Sequence, residues 1–163
     1  MNYTDIETQE QDNKVLADFK KFLGLEHFGW KFGAIMMLVC SIVVMIISII
    51  CIVLGAAVPK GETSLDLAGV GGIVVGVVYL SVSLIALLPA AIISFIMIKK
   101  VEYYQSTVDT DISIARTRCT SVGMLVFCIL FNTIAMIFFI INFAKTKNNA
   151  AAFDRIAARQ KGL

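Results

Sequence analysis

The sequence predicts an all-α integral membrane protein with three transmembrane helices. Short amphipathic helices flank them at both ends, and a helical hairpin stalk joins spans two and three. Three observations predict this. Hydrophobic residues make up 58% of the chain and charged residues only 16%, against about 25% charged in a typical soluble domain. The charge deficit is concentrated in three charge-free stretches, Phe32–Val58, Leu67–Ile98 and Cys119–Ala144. Each exceeds the roughly 18 apolar residues that mark a membrane-spanning helix. The implied organisation is a polar and interfacial segment over 1–31, a three-span domain over 32–144 (about 32–58, 69–98 and 119–144), and a basic amphipathic tail over 145–163.

Residues 1–11 are polar and acidic. They read as a loose tail, with Thr8 and Gln11 spaced as a possible capping box. From Asp12 a short amphipathic helix is expected. Val15, Leu16, Phe19, Phe22 and Leu23 share a face flanked by lysines, and Gly24 is placed to stop it. Such a helix suits either the membrane interface or the protein's own loops. The following LEHFGWKF brings Phe28, Trp30 and Phe32 beside Lys31, an interfacial belt with Trp30 as its depth marker. His27, the sole histidine, has no partner visible in the sequence.

The first span carries Ala34, Ser41, Ser48 and Gly55 at intervals of seven, a line of small or hydroxylated residues. Pro59 and Gly61 break the helix, and Thr63 or Ser64 is placed to cap the next. The short link makes spans one and two antiparallel neighbours.

The second span is the most regular element. From Gly69 to Ile98 it has no charge and one proline, and as a helix it would run roughly 45 Å. Gly72, Gly76, Tyr79, Ser83, Ala86 and Ala90 recur at steps of four and three. A narrow small-residue face on an aliphatic helix suits close helix packing in lipid. Pro89 removes one backbone hydrogen bond and predicts a kink. Lys99 and Lys100 end the apolar run as interfacial anchors.

The link VEYYQSTVDTDISIARTRC keeps helical periodicity. The second helix should therefore continue to about Ser106, turn near Asp109, and restart with Asp109 or Asp111 as N-cap. The third span places Asn132 at mid-depth, where a buried amide needs partners across a helix contact. In the tail, Asn149 is expected to cap a short helix with Phe153, Ile156 and Ala157 on its apolar side.

The chemistry is conspicuous by what the residues do not offer. There is no GxSxG, HExxH or phosphate-binding glycine loop, and no Asp, Glu, Lys, Arg or His within the three charge-free spans. Cys40, Cys51, Cys119 and Cys128 form no CxxC pair and no Cys/His cluster, which excludes the usual structural zinc patterns. No catalytic, metal or cofactor residue is assigned, and no enzyme activity is expected. The net charge of +2 offers nothing to nucleic acid. The expected partners are the lipid bilayer and other membrane subunits, or further copies of the chain. The expected role is a structural, scaffold or accessory subunit. The alternative is a small channel or passive transporter lined by Ser41, Ser48, Ser83 and Asn132.

Three spans put the N-terminus and the second link on one side, with eight of the 14 basic residues. That favours a cytoplasmic N-terminus and an outward C-terminus. The first span is expected to act as both targeting signal and anchor.

From Gly76 to about Ala135 the chain resembles small uncharacterised bacterial three-span membrane proteins. The shared features are Tyr79, Pro89 and Phe95 in the second span and a soluble link into a final apolar helix. The link KKVEYYQSTVDTDISIARTRC is also similar to the intracellular loop of dispanin-type proteins. The resemblance implies a bacterial cytoplasmic membrane location and no particular activity.

Overall fold

A computed structural model of the chain describes residues 3–58 and 63–162, with the side chains of 3–5 and 63–67 excepted. Regular structure among the described residues is entirely helical. The elements are α1 (Tyr3–Ala57), α2 (Thr63–Val82), a π-helical turn (Ser83–Leu87), α3 (Leu88–Thr107), α4 (Ile112–Cys119), α5 (Val122–Phe131), α6 (Thr133–Asn148) and α7 (Ala150–Gln160). Pro59, Gly61 and any side-chain cap from Thr63 or Ser64 lie outside the described residues.

Two helical runs are long and apolar enough to cross a membrane: Ile6–Ala57, and Ala68–Thr107 through the π turn. The third does not appear as one straight span. The chain divides instead into two compact units, one comprising Met1–Gly33 with Ser94–Leu163, the other Ala34–Ile93.

The N-terminal region differs from expectation. From Tyr3 onward the expected loose tail is helical and no stop occurs at Gly24, because α1 is one helix of 55 residues. A mid-helix glycine costs only about 1 kcal/mol, and packing on both sides of it outweighs that. Its buried face runs Asp12, Phe19, Leu23, Glu26 and Trp30, at helical spacing.

The unit Ala34–Ile93 is an antiparallel helix pair. Its seam is built where backbones approach closely. A Cβ at Gly55 would lie 2.6 Å from the Gly69 carbonyl, and one at Gly76 would lie 2.7 Å from the Ser48 carbonyl. Further along, Ser41 and Ser83 join their hydroxyls at 2.7 Å, and Ser83 Oγ donates to the Ser41 carbonyl at 3.0 Å. Seven-residue steps on each helix bring small residues together, the spacing that keeps a two-helix contact in register. A Cβ at Gly72 would lie 3.2 Å from the Cys51 carbonyl. Tyr79 and Ala86, expected on the same face, are exposed, and Ala90 is half-buried. A single helix partner covers only the line through Gly69, Gly76 and Ser83. The π turn then inserts an extra residue per turn and rotates the residues beyond it about the helix axis. That turn ends two residues before Pro89, whose missing N–H must be absorbed in the preceding turn.

The unit Met1–Gly33 with Ser94–Leu163 contains the remaining surprise. The stretch expected as a straight span over Cys119–Ala144 would hold Cys119 and Asn142 about 35 Å apart. Instead Asn142 Nδ2 donates to Cys119 Sγ at 3.6 Å. The chain bends by 63° between α4 and α5, runs outward along α5, breaks at Asn132, and returns along α6. Asn132 makes the break. Its backbone is extended (φ −158°, ψ 94°), and its Oδ1 accepts from Ala135 N at 3.0 Å to cap α6. Its Nδ2 donates to the Gly29 carbonyl at 3.1 Å. Asparagine favours such caps because its short side chain satisfies a first-turn amide locally. Gly29 and Gly33 admit the corner: a Cβ at Gly29 would meet the Ala135 backbone at 3.0 Å, and one at Gly33 would strike the Asn132 side chain. The outer face of the hairpin stays apolar and uncovered, with Val122 62% and Leu130 71% exposed.

The C-terminal tail folds back in the same unit. Arg155 holds Asp12 through two bonds, at 3.1 and 2.6 Å, and Arg159 also pairs with Asp12. Gln160 accepts from Ile112 N and donates to the Val108 carbonyl, both at 2.8 Å. Phe153 packs edge-on against Phe19, and Lys145 pairs with Asp18 at 2.6 Å. Asn149 begins α7 as expected, although its side chain turns back to the Lys145 carbonyl.

Candidate functional site

The most constrained chemistry lies in the larger unit, around a buried ion pair. Glu26 projects from the buried face of α1, and Arg118 from the last turn of α4. Arg118 grips both carboxylate oxygens, Nη1 donating to Oε2 at 2.9 Å and Nη2 to Oε1. Trp30, one turn beyond Glu26, donates its indole N–H to Oε1 at 3.2 Å. Tyr104 and Phe139 place their rings 5.0 and 5.5 Å from the guanidinium carbon. Cys119 and Asn142 complete the cluster. A bidentate pair with aromatic faces is the arrangement in which arginine tolerates burial.

The sequence reading missed this site because Glu26 and Arg118 both fall just outside the charge-free stretches. A signal was present: Glu26 shares the helical face of Phe19, Leu23 and Trp30, and a carboxylate on an apolar face needs a buried partner. Trp30, expected as an interfacial depth marker, is completely buried and packs near Phe127. Its N–H has an internal acceptor, so it does not seek a headgroup region. Lys31, Lys99 and Lys100 are exposed. His27 gains a partner the sequence did not disclose, Glu102 at 3.1 Å.

The predicted packing residues are not members of this cluster. Ser41, Ser48, Gly55, Gly72, Gly76 and Ser83 meet in the helix pair, Asn132 turns the hairpin, and Tyr79 and Ala86 do neither. Ser48 spends its hydroxyl on the Val44 carbonyl at 2.6 Å.

Two atoms of the cluster have no protein partner, Arg118 Nε and Asn142 Oδ1. Arg118 also lines an open cleft of about 490 Å³ with Tyr104, Thr117, Ser121 and Met124. A second cleft, about 270 Å³, lies between α1 and the α6–α7 junction and is lined by Lys14, Asp18 and Lys145. Among the described residues no group of three or more His, Cys, Asp or Glu is placed to hold a metal. All four cysteines are free thiols. The cluster as built can hold charge and orient side chains. It offers no paired nucleophile and base. No family model, curated protein or solved structure matches the chain.

Proposed function

We propose that this chain is an integral membrane protein acting as a structural or accessory subunit, without enzymatic activity, that assembles with other membrane subunits or with itself. It crosses the bilayer twice, through the apolar parts of α1 and of α2–α3, and dips the α5–α6 hairpin in from one side. The observation that carries the assembly reading is Tyr79. It lies within a charge-free helix, is 48% exposed, and has no hydrogen-bond partner among the described residues. A phenol facing hydrocarbon alone leaves its polar group unsatisfied, so a neighbouring helix is the natural acceptor. The unit Ala34–Ile93 also leaves aliphatic side chains uncovered on both helices, as expected of a surface meeting lipid or another subunit.

Orientation follows from charge. Every Lys and Arg except Lys60 belongs to the unit containing both chain ends. By the positive-inside tendency that unit is cytoplasmic. The resemblance to small bacterial membrane proteins fits a cytoplasmic-membrane location.

The test is extraction in mild detergent followed by native mass measurement, with Tyr79→Phe alongside. Assemblies that loosen in the variant are expected. A strictly monomeric wild type with nothing co-purifying would remove the assembly reading. Tags at the two chain ends should both be protease-accessible from the cytoplasmic side; tags on opposite sides would overturn the two-crossing topology. The rival pore reading needs Ser41, Ser48, Ser83 and Asn132 to meet water. Impermeant thiol labelling of cysteines placed there, in a cysteine-free background, separates the two.

A further inference from the structure

We propose that the cleft between Tyr104 on α3 and the α4–α5 corner binds the phosphate of a phospholipid headgroup. The proposal rests on the membrane location above and is independent of the assembly reading. Three residues with donor groups line it, and a helix start adjoins it. Arg118 is only 5% exposed, yet its Nε–H has no partner and the residue lines the cleft. Tyr104 also lines it, and its hydroxyl has no hydrogen-bond partner among the described residues. Ser121 accepts from Met124 N as the N-cap of α5, which leaves its O–H free to donate. The first-turn amides of α5, Val122 and Gly123, follow the lining residue Ser121 directly, and a helix start leaves such N–H groups unpaired. A Cβ at Gly123 would meet nothing nearer than Ser121 Oγ at 3.7 Å, so the approach is open.

No carboxylate lines the cleft. Glu26 behind it is occupied by the terminal nitrogens of Arg118. A site of donors at a helix N-terminus selects an acceptor-rich, anionic group, and phosphate is the commonest one. The source is a lipid and not free phosphate because the wall is part apolar. Met124 and Ile114 line it, and Val122 and Val126 expose their side chains along the same helix. A headgroup in the cleft would lay its acyl chains along that surface.

The test uses the whole protein in a neutral maltoside detergent, titrated with short-chain phosphatidylglycerol, the diacylglycerol of the same chains, or inorganic phosphate. Retention in native mass spectra and thermal stability are the readouts. One phosphatidylglycerol per chain should be retained and should raise the melting temperature. Two variants remove donors while sparing the Glu26–Arg118 pair. Tyr104→Phe keeps the ring over Arg118. Val122→Pro deletes one amide at the first helical position, where proline is tolerated, and the preceding Ser121 already has the extended backbone proline requires (φ −77°, ψ 119°). Each should weaken phosphatidylglycerol binding about tenfold or more, as expected for losing a hydrogen bond to a charged group. Equal binding by wild type and both variants would overturn the site. Diacylglycerol binding as well as phosphatidylglycerol would overturn the phosphate assignment, and inorganic phosphate competing at equal affinity would overturn the lipid assignment.

Discussion

The helix pair can be tested by adding a single methyl group at three glycines of α2. At Gly71 a Cβ would meet nothing within 4 Å; at Gly72 it would lie 3.2 Å from the Cys51 carbonyl; at Gly76 it would lie 2.6 Å from Ile52 Cγ1 and 2.7 Å from the Ser48 carbonyl. Ordinary carbon–oxygen contact needs more than 3 Å, so Gly76→Ala forces backbones apart by several tenths of an ångström. Each Gly→Ala change also gains helix propensity, about 1 kcal/mol, at all three positions. The difference between Gly76→Ala and Gly71→Ala therefore isolates packing, because the propensity gain cancels. Overpacking in a close contact costs about 1–3 kcal/mol. At roughly 2–4 °C per kcal/mol for a chain of this size, Gly76→Ala should melt several degrees below Gly71→Ala. Gly72→Ala should fall between them. Gly76→Ile should be worse again, while Val78→Ile on the exposed side should be nearly silent. Melting curves in one detergent decide the matter. Indistinguishable curves for Gly71→Ala and Gly76→Ala would refute the close seam.

Two further predictions concern the other unit. Glu26→Gln leaves Arg118 buried without a counter-ion and should cost about 3–5 kcal/mol, with a shift in the emission of Trp30, the only tryptophan. Pairing Glu26→Met with Arg118→Met should recover much of the loss, and a Glu26→Gln protein as stable as wild type would contradict the burial of the pair. Asp111 caps α4 by accepting from the Ser113 hydroxyl and amide, and these bonds hold its carboxyl below the usual carboxylate range. The bound form is the ionised one. Its contribution is complete above the ordinary carboxylate pKa near 4 and is lost as pH falls through the lower folded value. Asp111→Asn should therefore match wild type near neutral pH and show a shallower fall in melting temperature on acidification; parallel acid limbs would rule this out.

The sequence by itself determined the helical class and the two long apolar runs. It also determined the seven-residue line of Ala34, Ser41, Ser48 and Gly55, and the small residues Gly72, Gly76 and Ser83 at helical spacing on the second run. These properties are local and periodic: absence of charge over a bilayer's width, and side-chain size repeated at helical spacing. A cap at Asp109 or Asp111 was equally legible, because capping involves residues two positions apart, and the structure selects Asp111. Only the tertiary structure decided that the third apolar run is a hairpin. Asn132 caps a new helix there because Gly29 and Gly33, about a hundred positions earlier, leave room for the corner and supply a carbonyl. Only it decided that α1 continues through Gly24, since the packing that outweighs the glycine comes from distant segments. The fate of Glu26 and Arg118 was likewise undetermined by either residue's neighbours. Each charge is tolerable in the interior only because the other, 92 positions away, arrives at the same place.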